Sequence, residues 1–504
     1  MTAGGTATRR PDARTLLEEV LDAGSFRPWD SALVAVAAGP EYRAELAAAQ
    51  QRAGTDEAVI TGEGTIHGRR VAVAACEFGF LGGTVGVAAA ERLTQAIERA
   101  TRERLPLLAA PTSGGTRMQE GTIAFLQMVK IVQALEAHRQ ARLPYLVYLR
   151  HPTTGGVYAS WGSLGQVTGA EPGALIGFLG PRVYEALYGE PFPTGVQQAE
   201  NLYRLGLLDA VVPVERVAEV AARALDVLCA PAVGVPMPPP LAREHLADVP
   251  AWDSIQRTRR LERPRVRDLL TTAARSVTEL SGTHAGEREP ALVVALARFG
   301  SSPCVVLGQD APRSAGAPLG PGGLREARRG MRLAAELGLP LLTVIDTAGA
   351  ALSKEAEEGG LAGEIARCLA DLVTLPAPSL CLLLGQGAGG AALALLPTDR
   401  VLAAQHAWLA PLPPEGASEI LYRNVDHAPE LADRQGVRSL DLLADGIVDR
   451  IVAERPDAAD EPRAFLGRLG VVIEHELATL LRRDPVERMA ARHQRYRRLG
   501  LPPQ

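Results

Sequence analysis

Two pairs of glycine-bearing turns have the composition of anion-holding sites. Thr112-Ser113-Gly114-Gly115 and Thr154-Gly155-Gly156 stand in the first half of the chain, Thr347-Ala348-Gly349-Ala350 and Gly389-Gly390-Ala391 in the second. A turn between an apolar strand and a helix directs unpaired backbone N–H groups at one point, and the helix dipole adds positive potential there. Two such groups can hold an enolate or a tetrahedral oxyanion, and losing one donor typically costs about 3 kcal/mol. Glycine permits close ligand approach and unusual dihedral angles. An isolated Gly-Gly more often serves only tight packing, so the repetition carries the weight. Gly114 to Gly155 is 41 residues, Gly349 to Gly390 is 41, and the two sets lie 235 residues apart.

The elements around these turns repeat as well. Leu105-Pro-Leu-Leu108 precedes the first set and Leu339-Pro-Leu-Leu342 the second. Each set runs on to a similar tail, Leu205-Gly-Leu-Leu-Asp-Ala-Val-Val and Leu443-Ala-Asp-Gly-Ile-Val-Asp-Arg-Ile-Val. At 504 residues the chain exceeds one ordinary core, and a period this long means a duplicated domain. Helical spacing is read from Arg14 to Ala49, around Leu16, Leu17, Val20 and Leu21. Strands are expected at 58–62 and 70–75, joined at His67-Gly68, then at Leu107 and Leu146, and in the second cycle at 291–296 and 305–307. The resulting division is a flexible leader over 1–13, a first domain over 14–229, a Pro-rich linker over 230–250, and a second domain over 251–504. The second domain opens on a basic helical connector, Trp252 to Ala274, and closes on a helical tail from Ala464. A Gly/Pro-rich loop from Gln309 to Gly323 is expected to be mobile.

Bulk composition narrows the function. The net charge of −5 offers no general attraction to nucleic acid or an anionic membrane. Lysine occurs only at Lys130 and Lys354. Cys76, Cys229, Cys304, Cys368 and Cys381 form no C-x-x-C pair, so reduced, mostly buried thiols are expected and no zinc. With no apolar run long enough for a bilayer and no signal-peptide core, a cytoplasmic protein is expected.

In the first half, Glu77-Phe-Gly-Phe-Leu-Gly-Gly-Thr-Val-Gly86, Ser113-Gly-Gly-Thr-Arg-Met-Gln-Glu-Gly121, His151-Pro-Thr-Thr-Gly-Gly-Val-Tyr-Ala-Ser160 and Ala170-Glu-Pro-Gly-Ala-Leu-Ile-Gly-Phe-Leu-Gly-Pro-Arg182 closely resemble the β subunit of bacterial acetyl-CoA carboxylase carboxyltransferase. The second half resembles the α subunit through Ile345-Asp-Thr-Ala-Gly349, Ala356-Glu-Glu358 leading to Glu364-Ile-Ala-Arg367, Gly385-Gln-Gly-Ala-Gly-Gly-Ala-Ala392 and Pro414-Glu-Gly416. The chain therefore resembles a β–α fusion from about residue 14 onward. The resemblance implies an α/β fold of two tandem crotonase-like ββα-superhelix domains. It also implies transfer of a carboxyl group from carboxybiotin to the α-carbon of acetyl-CoA or another short acyl-CoA, giving malonyl-CoA in the first case. Gly155 and Gly156 match one oxyanion hole, Gly390 and Ala391 the other, and the repeat pairs them in that order. Gly82, Gly83, Gly114, Gly115 and Arg117 fall on the acyl-CoA side, Gly349, Ala350, Gly387 and Gly389 on the biotin side. The base implied is the biotin ureido nitrogen, which accounts for the lack of a Ser/His/Asp ordering. The partners implied are a separate biotin carboxylase and a biotin carboxyl carrier protein, with the chain itself a homodimer or larger.

Some residues stay open between two roles. Arg117 and Glu120 orient CoA or form an ion pair. Glu357 and Glu358 are general bases or helix-surface and capping carboxylates. Arg325, Arg328, Arg329 and Arg332 meet CoA phosphates or form a solvated face. His151, where the β subunit has Asp, is not expected to be catalytic. The four-cysteine zinc ribbon of the β subunit is missing. The α-subunit turn Asp-Thr-Pro-Gly-Ala-Tyr-Pro-Gly reads Asp346-Thr-Ala-Gly-Ala-Ala-Leu-Ser353, and Ala391 replaces a glycine while retaining its N–H if its φ is negative. These changes gather on the biotin side. They leave room for a biotin-independent malonyl-thioester decarboxylase on the same fold, or for a non-catalytic scaffold of a carboxylase complex.

Overall fold

The computed structural model describes residues 11–29, 33–36, 38–230, 236, 239, 246–310 and 318–501. Most of the leader, most of the Pro-rich linker, and positions 311–317 of the Gly/Pro-rich loop lie outside the described residues. The chain divides into two compact units, residues 1–225 and 226–504.

The first unit is built on a seven-stranded sheet in the order β1-β2-β3-β4-β5-β7-β9. Its strands are β1 (Arg27–Pro28), β2 (Val59–Ile66), β3 (Arg69–Cys76), β4 (Leu107–Ala110), β5 (Tyr145–Leu149), β7 (Val167–Ala170) and β9 (Ala210–Val211), with β6 (Thr153–Thr154) and β8 (Ile176–Gly177) forming a separate parallel pair. The expected β2–β3 hairpin forms across His67-Gly68, both at positive φ, as a two-residue turn matched to strand twist requires. From β3 onward every pairing is parallel, which needs helical crossovers, and Val87–Arg102 and Gly121–Gln140 supply two of them. Their buried faces, with Leu93, Ile97, Ile131 and Leu135, close over the apolar strands. The helical spacing seen near the N-terminus resolves into two helices, Ala13–Val20 and Pro40–Ala53.

The second unit repeats this plan with β10 (Arg275–Leu280), β11 (Leu292–Phe299), β12 (Ser302–Gln309), β13 (Leu341–Thr347), β14 (Ser379–Ala388), β15 (Arg400–Ala404), β16 (Trp408–Ala410) and β17 (Arg450–Val452). The order is β10-β11-β12-β13-β14-β15-β17, with β16 also pairing β14. β11 and β12 form the hairpin, here across Gly300-Ser301, and the pairings beyond are parallel. The connector expected as one helix is two, Ala251–Thr258 and Val266–Ala273, separated by a segment containing Pro264. The tail forms helices Pro462–Leu481 and Pro485–Arg498. Some of its arginines turn inward while others, such as Arg497 and Arg498, stay exposed. Arg488 and Arg492 are buried on Asp399, and Arg492 also donates to the carbonyls of Leu372 and Leu375.

Candidate active site

In the first unit three loops at the carboxyl ends of the strands are bonded backbone to backbone. Gly114 N–H donates to Gly82 O at 2.9 Å, Val85 N–H to Gly115 O at 3.0 Å, and Thr154 N–H to Ser113 O at 2.9 Å. Glycine is required where these loops meet. Gly83 has φ +63, and a methyl there would stand 2.1 Å from Thr112 O, while Gly115 has φ +108. The expected residues Gly82, Gly83, Gly114, Gly115, Gly155 and Gly156 are thereby brought into one neighbourhood.

The short helix Gly155–Tyr158 follows directly. Gly155, at φ +60, makes the corner. Its N–H is not free, because it donates to Phe178 O at 3.0 Å, which corrects its assignment as an oxyanion donor. The N–H groups of Gly156 and Val157 have no acceptor among the described residues.

The second unit repeats the arrangement, one residue away from the sequence alignment. Thr347 Oγ1 donates to Gly349 O at 2.9 Å and accepts from Gly349 N–H at 3.1 Å, and Ser113 Oγ makes the same pair of bonds with Gly115 at 3.3 and 2.9 Å. Bridges join Val85 to Thr116 and Leu319 to Ala350. Gly389 at φ +65 matches Gly155, and the helix N-caps Gly86 and Gly320 adopt φ −99° and −98°. All these counterparts are 234 positions apart (389 − 155), as are the two Leu-Pro-Leu-Leu segments, so the 235-residue period is corrected. The slip arose at Ser113-Gly-Gly115 against Thr347-Ala-Gly349, where the glycine that needs positive φ is the second of the pair. Gly390 therefore corresponds to Gly156, and Ala391 to Val157. Neither Gly390 nor Ala391 N–H has an acceptor among the described residues. Gly387 pairs with Thr347 and Leu409, and a methyl on it would lie 2.6 Å from Trp408 O.

A carboxyl transferase domain model matches residues 12–494. The chain belongs to the carboxyl transferase family. A Mycobacterium tuberculosis protein named a probable biotin-dependent acyl-coenzyme A carboxylase beta3 subunit is 63% identical over 489 residues, covering 97% of this chain and 98% of that one. The acetyl-coenzyme A carboxylase carboxyl transferase subunits beta/alpha of Parafrankia sp. are 37% identical over 538 residues, covering 99% of this chain and 86% of that one. A crystal structure of transcarboxylase 12S matches with a TM-score of 0.67 at 21% identity, covering 91% of this chain and 89% of that one. The fold is thus the duplicated crotonase-like α/β architecture expected from the sequence.

The charged residues of this carboxyltransferase are largely engaged inside each unit. Arg117, expected on the acyl-CoA side, is 1% exposed. Both its terminal nitrogens bond Glu57, and Nη2 also donates to Thr84 O at 2.7 Å. Glu120 accepts from Tyr42 Oη and Val87 N–H, both at 2.6 Å. Burial opposes the Arg117 charge, but the Glu57 carboxylate keeps it firmly protonated. Of its two expected roles the ion pair forms, with Glu120 at 3.5 Å as well as with Glu57, and Arg117 is a brace beneath the loops in place of a substrate contact. Glu57 and Tyr42 escaped sequence reading because they lie 60 and 75 residues from Arg117.

Arg325 pairs with Glu287, Arg328 with Asp371, and the buried Arg329 donates to the carbonyls of Ser281 and Gly282, whereas Arg332 is exposed. Glu357 and Glu358 lie exposed on the short helix Lys354–Glu358. His151 Nδ1 accepts from Leu175 N–H, and Lys130 pairs with Glu91. Burial pushes the thiols of Cys76 up to about 11 and of Cys368 and Cys381 up to about 12. Among the described residues no group of His, Cys, Asp and Glu could hold a metal, and no helix is long and apolar enough to cross a membrane.

Proposed function

We propose that this carboxyltransferase is a subunit of a biotin-dependent acyl-CoA carboxylase and moves a carboxyl group from carboxybiotin on a carrier protein to acetyl-CoA or another short acyl-CoA. The observation that carries this reading is the matched pair of unbonded N–H groups in each unit, Gly156 with Val157 and Gly390 with Ala391. The names of the 63% and 37% identical relatives support the same activity. When bound, carboxybiotin supplies the carboxyl group and, at its ureido nitrogen, the base.

The chain's own task is then positioning and charge stabilisation. Gly156 and Val157 would hold the thioester oxygen as it gains enolate charge, and Gly390 and Ala391 the ureido oxygen. Alanine serves as well as glycine at 391 because its backbone is helical there and its N–H is retained. The exposed apolar residues Met118, Ile123, Phe125, Leu126 and Val129 in the first unit, and Ile420, Leu421 and Val425 in the second, fit burial in a homo-oligomer.

The test runs the reaction in reverse, with malonyl-CoA and free biotin or biotin carrier, and follows acetyl-CoA. Biotin-dependent product is expected. Acetyl-CoA formed equally without biotin would replace the reading with a decarboxylase, and no turnover of malonyl- or methylmalonyl-CoA would remove short acyl-CoA substrates.

A further inference from the structure

The second sheet departs from the first where β14 runs beside the end of β13. β13 and β14 run in register from Leu341 opposite Ser379 to Ile345 opposite Leu383, and the next pair is Thr347 with Gly387. Asp346 alone therefore faces Leu384, Gly385 and Gln386. Up to Leu383 β14 pairs with β15, and from Gln386 onward with β16. The strand changes partner here and then delivers Gly389, Gly390 and Ala391. Bulges of this kind redirect a strand and leave ladder groups without partners.

We propose that Asp346 and Arg263 are positioning residues that hold this bulge and so set where Gly390 and Ala391 present their N–H groups. Asp346 Oδ1 accepts from Gln386 N–H at 3.0 Å, and Arg263 Nη2 donates to Leu384 O at 3.0 Å. Both sides of the bulge are satisfied by side chains in place of the ladder. Gly385 makes the approach possible, since a methyl there would stand 2.4 Å from Asp346 Oδ1.

Arg263 is itself fixed by a two-point pair with Glu454 at 2.6 and 2.7 Å, the side chains being 3% and 0% exposed. Glu454 also accepts from Ala458 N–H at 2.8 Å and His406 N–H at 3.1 Å. Among the described residues the first unit holds the counterpart strand without a carboxylate–arginine pair. There, 234 positions earlier, Thr112 stands for Asp346 and Arg150 for Leu384, and Thr112 Oγ1 donates to His151 O at 3.0 Å. The inference rests on the reading that the second turn acts in carboxyl transfer.

The test compares Asp346→Ala, Asp346→Asn and Gly385→Ala in the full chain, with biotin-dependent turnover of malonyl-CoA and amide exchange as two independent readouts. Asp346→Ala is expected to lower kcat by about 10–100-fold, the scale of a modest misplacement, and to leave KM for the acyl-CoA unchanged. Asparagine retains the acceptor, so Asp346→Asn keeps kcat within about threefold of wild type, a loss no larger than a weakened hydrogen bond allows. Gly385→Ala follows Asp346→Ala because its methyl displaces the carboxylate. Amide exchange over 384–392 accelerates at least about 10-fold in Asp346→Ala, as local opening would require, and exchange over 153–160 does not change.

Wild-type kcat in both alanine variants would overturn the proposal, as would loss in Asp346→Asn equal to that in Asp346→Ala. Unchanged exchange over 384–392 would overturn it as well. A wild-type chain without biotin-dependent turnover would defeat the functional reading instead, and the exchange result would still decide whether Asp346 holds the bulge.

Discussion

A methyl group added to Gly115 would lie 3.4 Å from Gly155 Cα and Gly156 N, whereas one added to its counterpart Gly349 would meet no atom within 4 Å. The two units share a plan, yet the first brings its two turns into contact and the second leaves space between them. Their supports differ accordingly. The first rests on the buried Arg117–Glu57 pair with Glu120 and Tyr42, and on loops bonded through Gly82 and Gly114. The second rests on the bulge in β14 and on β16. A duplicated site can thus keep its donor geometry while each copy acquires its own means of holding it.

Removing one support tests this comparison most severely. Arg117→Met would leave Glu57 buried without its cation, and a loss of about 3–5 kcal/mol is expected. The check is urea denaturation followed by a probe in the first unit, with the second unit's transition unmoved. Coincident shifts in both would mean that the supports are not separate.

Next come the donors themselves. Gly156→Pro and Gly390→Pro each delete an N–H, and each should reduce carboxyl transfer about 10²–10³-fold. Equal losses would sharpen the equivalence of the turns. Intact transfer in either variant would break it.

The first unit also carries a buried histidine at a position where the second unit has a leucine. His138 is buried between Thr101 and the Pro144 carbonyl, and burial pushes its imidazole down to about 4. Its counterpart 234 positions later is Leu372. Between about pH 6.5 and 4 the unfolded chain binds a proton that the folded imidazole does not. Stability from this group is therefore present above 6.5 and lost as pH falls through that window, by about 3 kcal/mol at most. His138→Leu should flatten the fall of Tm with pH in the first unit, and an unchanged slope would assign the acid sensitivity elsewhere.

The smallest contrast lies at the two glycines. Both have positive φ, so alanine strains either by about 1–3 kcal/mol. Gly115→Ala also sets its methyl in contact with Gly156 N, so the backbone strain passes to that donor and kcat should fall by about 10-fold, the scale of a modest misplacement. Gly349→Ala, with open space, should keep kcat within about threefold, strain alone being its cost. Similar kcat losses would remove the distinction between a close turn and an open one.

Much of this was legible in local pattern. Alternating and continuous apolar runs marked β2, β3, β11 and β12, and His67-Gly68 marked its turn. Short β10 carried no such mark, since its residues Arg275, Ser276 and Glu279 do not read as a buried strand. Arg117 stood open between a CoA contact and an ion pair with Glu120; the structure shows that pair at 3.5 Å and adds the distant Glu57, which local pattern could not supply. Gly155 shows the same limit. Its residue type announces a corner, but whether its N–H is free depends on Phe178, 23 positions later.

By itself the sequence determined the duplication, the α/β class and the glycines on which the turns depend, because periodicity and permitted backbone angles are local properties. Tertiary structure chose between the 234-residue spacing of the Leu-Pro-Leu-Leu segments and the 235-residue spacing of the glycine pairs, and it alone decided which N–H groups remain unbonded and which charges are engaged. Those outcomes depend on hydrogen bonds and burial between residues far apart in the chain, and local composition does not encode such distances.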